Sequence, residues 1–432
     1  MMSEIKFYKE TNFKETPIGK IPKDWEVTKM GDVAFVKGRI GWRGLKASEY
    51  TTKGPYLIAN KHLINNKIMW DKCDHLSEFR YDESPEIQLQ LNDVIMSKDG
   101  TIGQPAFIDF LPDRATINST MMLLRVTNNG FAPEFLFYFL QGPHFKRFLA
   151  QKISGTSIPH LFQRDMKELK VTLPPLAEQE GIVEVLGVVD LAVAKAGEVI
   201  AKTERLKKGL MQTLLTRGIG HKEYKQTPIG TVPKDWEVVK LKDIVEINRE
   251  SRDPSREMIH KTFFYVDIDS VDGSTGKIRS PKKILGKEAP SRARRVIHEN
   301  DVIMSTVRPY LKAFAIVPRE LDNQICSTGF AVLSCGSKIM PYFLLNVLFS
   351  NQVISQCNRM MIGGQYPALN KSQVSEIKIP LPLLSEQQKI AGVFVLIDRK
   401  LELERAEKKK LERVKWGLMD LLLTGKVRVK AS

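Results

Sequence analysis

The chain of 432 residues is long enough for two to four domains, and with 42% hydrophobic and 27% charged residues it has an ordinary globular balance. Its formal net charge of +16 attracts phosphate and points to a polyanionic partner. Cys73, Cys326, Cys335 and Cys357 form no CxxC pair and no run of about 18 apolar residues occurs, which excludes a disulfide framework, a zinc finger and a spanning helix. Cys73 and His75 lie two apart with no further Cys or His clustered beside them. The opening MMSEIKFYKE lacks an apolar segment, so no signal peptide is expected and the predicted location is the cytoplasm.

From the start of the chain, Thr16–Val27 reads TPIGKIPKDWEV, a turn-rich opening in which Trp25 offers a large packing anchor. Alternating segments then predict strands at Val33–Val36, Tyr56–Ala59, Asp93–Met96, Ala106–Ile108 and Met121–Val126. An aromatic helix is predicted over Pro133–Gln141 and a last strand over Leu169–Leu173. From Ala177 to Arg217 proline and strand-like alternation both disappear. Apolar residues fall at Ile182, Leu186, Val189, Val193, Ala196 and Ile200, then at Leu206, Leu210 and Leu214 in a looser register. This is a heptad-like seam on a helix of about 40 residues, roughly 60 Å long.

The pattern then starts again. Thr227–Val238 reads TPIGTVPKDWEV, identical to the first opening at ten of twelve positions. Strands are predicted at Asp243–Ile247, Phe263–Ile268, Asp301–Met304, Phe314–Val317 and Phe330–Leu333. A helix over Pro341–Phe349 and a strand over Ile377–Leu381 follow, then a second long helix over Ser385–Thr424. Its stripe is Ile390, Phe394, Ile397, Leu401, Leu411, Leu418 and Leu422, with Glu404 and Lys408 interrupting it. Ser385-Glu386-Gln387-Gln388 has the form of a capping box. NDVIMS at Asn92–Ser97 recurs at Asn300–Ser305, and LPPLAEQ at Leu173–Gln179 returns as LPLLSEQ at Leu381–Gln387. The whole unit is therefore duplicated with a period of about 200 residues, far longer than a solenoid repeat. A lone amphipathic helix of this length must bury its stripe, and the obvious partner is the other copy.

PxGxxPxxW at each domain opening and LPxLxEQ at each helix start, in the order domain, helix, domain, helix, resemble the specificity subunits of type I restriction-modification enzymes. The resemblance covers nearly the whole chain. It implies an α+β fold with an internal pseudo-twofold repeat: two similar mixed α/β target recognition domains, 1–173 and 227–381. The spacer regions 174–226 and 382–432 would carry two long antiparallel helices, paired as a coiled coil. It implies that each domain reads one half of a bipartite site in double-stranded DNA. It further implies two methyltransferase subunits that bind S-adenosylmethionine, and motor-nuclease subunits that use ATP and Mg, with no cofactor, metal or catalytic residue in this chain. The sequence has no Asn/Asp-Pro-Pro-Tyr/Phe methyltransferase tetrapeptide and no GxxxxGK[ST].

The expected DNA contacts are where the repeats diverge on their shared scaffold. After NDVIMS, the loop carrying Lys98, Thr101 and Gln104 faces one carrying Arg308, Tyr310 and Lys312. Earlier, the loop with Arg39 and Arg43 faces one with Arg249 and Arg252, and later Ser157 faces Gln365 and Tyr366. Arg and Lys can pair with guanine and Gln with adenine, while glycines let backbone approach phosphate. Arg294 and Arg295, in the basic run Lys287–Arg295, suit phosphate contacts. Two rival readings are a metal-dependent nuclease built on the duplicated ExK pairs, Glu168/Lys170 and Glu376/Lys378, and a coiled-coil scaffold that binds no DNA.

Overall fold

The computed structural model describes residues 5–39, 47–153, 160–361 and 367–431. The chain forms two compact units, Met1–Lys195 with Glu407–Ser432, and Ala196–Ala406. The long helices run over Leu176–Arg217 and Leu384–Leu423, so each gives one half to each unit.

In the first unit a sheet runs in the order Pro105–Phe107, Val94–Ser97, Met121–Val126, Ala34–Gly38, all antiparallel. A second sheet orders Ala115–Ile117, Thr51–Ile58, Asp74–His75, its first pair parallel. The second unit repeats the first sheet with Phe314–Ile316, Val302–Ser305, Phe330–Cys335 and Val245–Ile247. Its other sheet has four strands, because Ala293–Ile297 adds itself beside Gln324–Ser327.

This arrangement explains NDVIMS residue by residue. Successive strand side chains point to opposite faces. Val94 and Met96 enter one core while Ile95 enters another; Val302, Met304 and Ile303 do the same. A strand packed on both faces reads as a continuous apolar run. Asn92 and Asn300 hold φ of 70° and 67°, a left-handed conformation that Asn tolerates. The Asp93 carboxylate accepts the Gln90 N–H at 2.7 Å, and Asp301 accepts that of His298 at 2.9 Å, so both buried acids are satisfied.

The two other repeated motifs meet each other. Phe13–Thr16 and Gly19–Pro22 form a hairpin, as do Tyr224–Thr227 and Gly230–Pro233. Gly19 and Gly230 take φ of 110° and 104°, which only glycine adopts readily. The next strand, Glu26–Lys29, pairs with Lys170–Leu173, and Glu237–Lys240 pairs with Lys378–Leu381. Trp25 and Trp236 are thereby buried against the first turns of the long helices. Trp25 Nε1 donates to Glu178 Oε2 at 3.0 Å, and Trp236 Nε1 to Glu386 Oε2 at 2.9 Å. The following glutamine is buried and saturated. Gln179 Nε2 donates to the carbonyls of Gly130 and Pro174, both at 2.8 Å, and Oε1 accepts the Ala132 N–H at 2.8 Å. Gln387 repeats this with Lys338, Pro382 and Met340 at 3.0, 2.9 and 3.0 Å. The capping box expected at Ser385 is therefore not what Glu386 and Gln387 form. The helix already begins at Leu384, and these side chains turn to the globular part.

Within each unit the long helices are antiparallel. In the first, Asp190 Oδ1 meets Lys415 Nζ at 2.6 Å, and Oδ2 accepts Tyr138 OH at 3.0 Å. In the second, Asp398 Oδ1 meets Lys207 Nζ at 2.5 Å, and Oδ2 accepts Tyr342 OH at 3.0 Å. Each pair is the other with the helices exchanged, the correspondence that the internal repeat produces. Ile182 and Leu186 share a core with Met419, Leu422 and Leu423, and Leu215 shares one with Ile390 and Phe394. The seam departs from the sequence pattern at Leu206, which is 55% exposed, while Thr203 is buried in its stead. An α-helix drifts against a 3.5-residue repeat, so a seam read at fixed heptads slips off its face.

If the tryptophan and glutamine contacts attach helix to domain, Trp236→Phe should cost about 1 kcal/mol by removing a hydrogen bond to the half-buried Glu386 carboxylate. Gln387→Leu strands three backbone groups and should cost more, roughly 2–5 kcal/mol. Denaturant unfolding of both variants checks this; losses below about 0.5 kcal/mol for Gln387→Leu would contradict it.

Candidate nucleic-acid interface

In the second unit, distant basic segments are brought to one end of the sheets. The strand Ala293–Ile297 draws the segment after Val245–Ile247 alongside it. Arg252 N–H donates to the Arg294 carbonyl at 2.8 Å, Ser251 Oγ to the same carbonyl at 3.0 Å, and Val296 N–H to Glu250 O at 3.3 Å. The turn after Gln324–Ser327 connects this cluster to the loop after NDVIMS. Thr328 N–H bonds Arg292 O, and Thr306 N–H bonds Gly329 O, both at 2.8 Å. Arg252, Arg292, Arg294, Arg295 and Arg308 thus gather toward one sheet end, while Arg249 reaches toward Asp301 at the start of Val302–Ser305. Arg292 was not singled out in sequence; its place follows from the turn contact with Thr328.

Acidic neighbours set the orientation of this cluster. Arg252 meets Glu250 at 2.8 Å, Arg294 meets Asp253 at 3.3 Å, and Arg249 lies 4.0 Å from Asp301. Hydrogen bonding to His298 and charge from Arg252 hold the Glu250 carboxyl below its ordinary range. Arg295 is half-buried; desolvation lowers its pKa, and its Nη1 has no hydrogen-bond partner among the described residues. A guanidinium in that state lowers its free energy by meeting an anion.

The first unit gathers a different set at the same end. Lys98 N–H donates to Thr120 O at 2.9 Å and Lys98 O accepts the Leu161 N–H at 3.1 Å. Asn60 Nδ2 donates to Asp99 O at 2.8 Å, and the Asp99 carboxylate meets His160. Gln163 Oε1 accepts the Gly38 N–H at 3.2 Å, next to Arg39. Thr101 is exposed, its carbonyl accepting Ser97 Oγ, while Gln104 N–H donates back to that Oγ at 3.0 Å. Asn60, His160 and Gln163 were missed in sequence because only tertiary contacts place them beside Lys98 and Arg39.

Two expected contacts are differently placed. Arg39 is 5% exposed, held below the surface rather than on a loop tip. Lys312 turns inward, Nζ donating to the Phe349 carbonyl at 2.9 Å, at the C-terminal end of the helix Pro341–Leu348. There a cation satisfies an orphan carbonyl and complements the helix dipole. Burial, then the neighbouring Lys208, lowers its pKa. Tyr310 is exposed. Arg43, Ser157, Gln365 and Tyr366 lie outside the described residues.

The ExK glutamates have ordinary explanations. Glu168 pairs with Lys29 at 2.8 Å across the sheet ribbon. Glu376 pairs with Lys240 and Lys242, both at 2.6 Å, which pull its carboxyl down to about 2. Among the described residues no cluster of three His, Cys, Asp or Glu side chains is placed to hold a metal. Nor is any helix among them long and apolar enough to cross a membrane.

A family profile described as "Type I restriction modification DNA specificity domain" matches residues 22–202 and again 233–413. The chain is 30% identical to the type I restriction enzyme MjaVIII specificity subunit of Methanocaldococcus jannaschii, over 100% of this chain and 99% of that one. It is 31% identical to the putative MjaX specificity subunit of the same organism, over the full length of both. Two solved structures share the fold. One is a chain from a type I R-M system, with TM-score 0.57 at 20% identity over 94% of this chain and 99% of that one. The other is the type I S subunit from M. genitalium, with TM-score 0.54 at 16% identity over 94% and 98%.

Lys312→Ala should lower stability by about 1–2 kcal/mol, because it leaves the Phe349 carbonyl without its cation. Arg294→Ala should weaken binding about equally on all DNAs and reduce the salt slope by about 1, as loss of a phosphate contact does. Denaturant unfolding checks the first and salt-titrated binding the second; an unchanged stability for Lys312→Ala would return it to the surface of recognition.

Proposed function

The chain belongs to the family of type I restriction-modification specificity subunits, and from that membership we propose how its two units divide the work. Each globular part reads one half of a two-part duplex site. The chain itself performs no chemistry. It docks two methyltransferase subunits, which bind S-adenosylmethionine and each methylate an adenine in one half-site. The flipped adenine enters the partner's pocket. Motor-nuclease subunits would join with ATP and Mg. The long antiparallel helices serve as the ruler between the half-sites.

The observation that carries this reading is the contrast between identical attachment and divergent surface. The Trp–Glu and Gln contacts are reproduced bond for bond in both units. The loops beyond NDVIMS carry unlike side chains, an arginine-rich cluster in one and Lys98 with His160 in the other. A shared mount with two different reading surfaces suits an asymmetric site. The nuclease alternative has no observation in its favour, since both glutamates are engaged by lysines.

Purified alone, the chain should show no methyl transfer; with its methylation subunit it should direct adenine methylation in an asymmetric two-part site. Turnover of S-adenosylmethionine by the isolated chain would overturn this. Four residues inserted near Thr213 add about one helical turn, 6 Å, and nearly restore the helix face. The unread gap should grow by about two base pairs, at roughly 3.4 Å each. A folded, active variant that keeps the original gap would show that the helices do not set the spacing.

A further inference from the structure

We propose that the turn Thr306–Lys312 of the second unit is an apolar wedge that opens the base stack of its half-site, with Tyr310 and Leu311 as the inserted side chains. This deepens the DNA-reading function proposed above and rests on it.

The turn is held in an unfavourable backbone. Arg308 and Lys312 have φ of 47° and 58°, the left-handed region that non-glycine residues avoid. The first unit uses Gly100, φ 71°, at the position equivalent to Arg308, and Gly103, φ 81°, at the other end of its turn. Strained residues persist where the surroundings over-determine them, and they concentrate at ligand contacts. The surroundings here do so. Arg308 N–H donates to Pro367 O at 3.1 Å, Leu311 N–H to Arg308 O at 2.9 Å, and Lys312 N–H to Pro309 O at 2.9 Å. Lys312 Nζ anchors the far end on the Phe349 carbonyl at 2.9 Å. Gly273 backs the turn so closely that a Cβ there would lie 2.7 Å from the Lys312 carbonyl oxygen.

This rigid turn presents apolar surface to water. Tyr310 is 43% exposed and Leu311 61%. The first unit does the opposite. Ile102 packs partly buried against its core, and a Cβ on Gly103 would meet Leu149 Cδ1 at 2.3 Å. Tucking the tip in is therefore available to this scaffold, and the second unit does not use it. The exposed pair stands at the sheet end that carries Arg292 and Arg294, where cations can hold the flanking phosphates. Apolar side chains set among cations are how proteins unstack base steps, and an adenine to be methylated must leave its stack.

The test uses the full chain in complex with its methylation subunit, on duplexes carrying the methylated site with 2-aminopurine placed along each half. Wild type should raise fluorescence at a step in the second half-site. Tyr310→Ala/Leu311→Ala should abolish that rise, leave the first half-site signal intact, and weaken specific binding about 5- to 150-fold with little change on random DNA. A double variant that unstacks and binds like wild type overturns the wedge. Loss of the methylation subunit from the complex, with DNA binding by the chain intact, also overturns it, because the pair would then be a protein-docking patch. If wild type selects no duplex, the DNA-reading function itself fails, an outcome visible before any variant is made. Arg308→Gly should keep or raise the melting temperature while weakening specific binding; a lower melting temperature would show that the turn conformation serves the fold, against the proposal.

Discussion

Everything else in this chain depends on one carboxylate per repeat, the glutamate in the first turn of each long helix, buried in the first unit and half-buried in the second. Glu178 and Glu386 each accept an indole N–H from the tryptophan that opens the globular part, while the adjacent glutamine saturates three backbone groups of the same part. A long amphipathic helix draws most of its stability from tertiary packing and would have no fixed direction if joined to its domain by chain alone. Burying polar groups that only the correct geometry can satisfy makes the junction specific as well as tight. A domain so mounted has a fixed direction relative to its helix, and a reading surface needs that.

The two carboxylates differ in their remaining partner. Glu178 is gripped by Arg428 at 2.6 and 2.7 Å, and Arg428 also binds Asp24 and Glu10. The Arg428 strand, Val427–Ala431, pairs with Ile5–Lys9, so the two ends of the chain complete the first unit together. Glu386 instead lies 2.9 Å from His221 Nε2 and accepts the Ile219 N–H at 2.9 Å, from the segment following the first long helix. One electrostatic need, a donor opposite the indole, is met by the chain ends in one unit and by the interdomain segment in the other. The Asp190–Lys415 and Asp398–Lys207 pairs extend the correspondence along the helices.

Much of this was legible in the sequence. The strand Met121–Val126 forms as predicted, and both long helices begin one residue from their expected starts. Apolar periodicity and exact internal repetition are local signals and survive folding. What could not be read was set by distance along the chain. Residues 10, 24, 178 and 428 meet around one guanidinium, and no local pattern marks them. Glu386 and Gln387 look like helix capping because their spacing is right, yet their partners lie across the junction. The helices Pro143–Ile153 and Asn351–Met360 were missed because they are short and mostly polar, with few apolar residues to mark a period. Among the candidate contacts, the pairing of Arg252 with Arg294 depends on one added strand. The inward turn of Lys312 depends on a helix end that its own segment does not reveal.

The central claim is that the two globular parts are interchangeable readers on identical mounts. Its most direct measurement replaces residues 240–376 by residues 29–168. Both boundaries fall at a lysine and a glutamate that pair across the ribbon, Lys240 with Glu376 and Lys29 with Glu168. The methylated positions directed by the chimera, with its methylation subunit, are then sequenced genome-wide. The account predicts a two-part site whose halves carry the same bases, those of the original first half. Retention of the original asymmetric site by a folded chimera would contradict it.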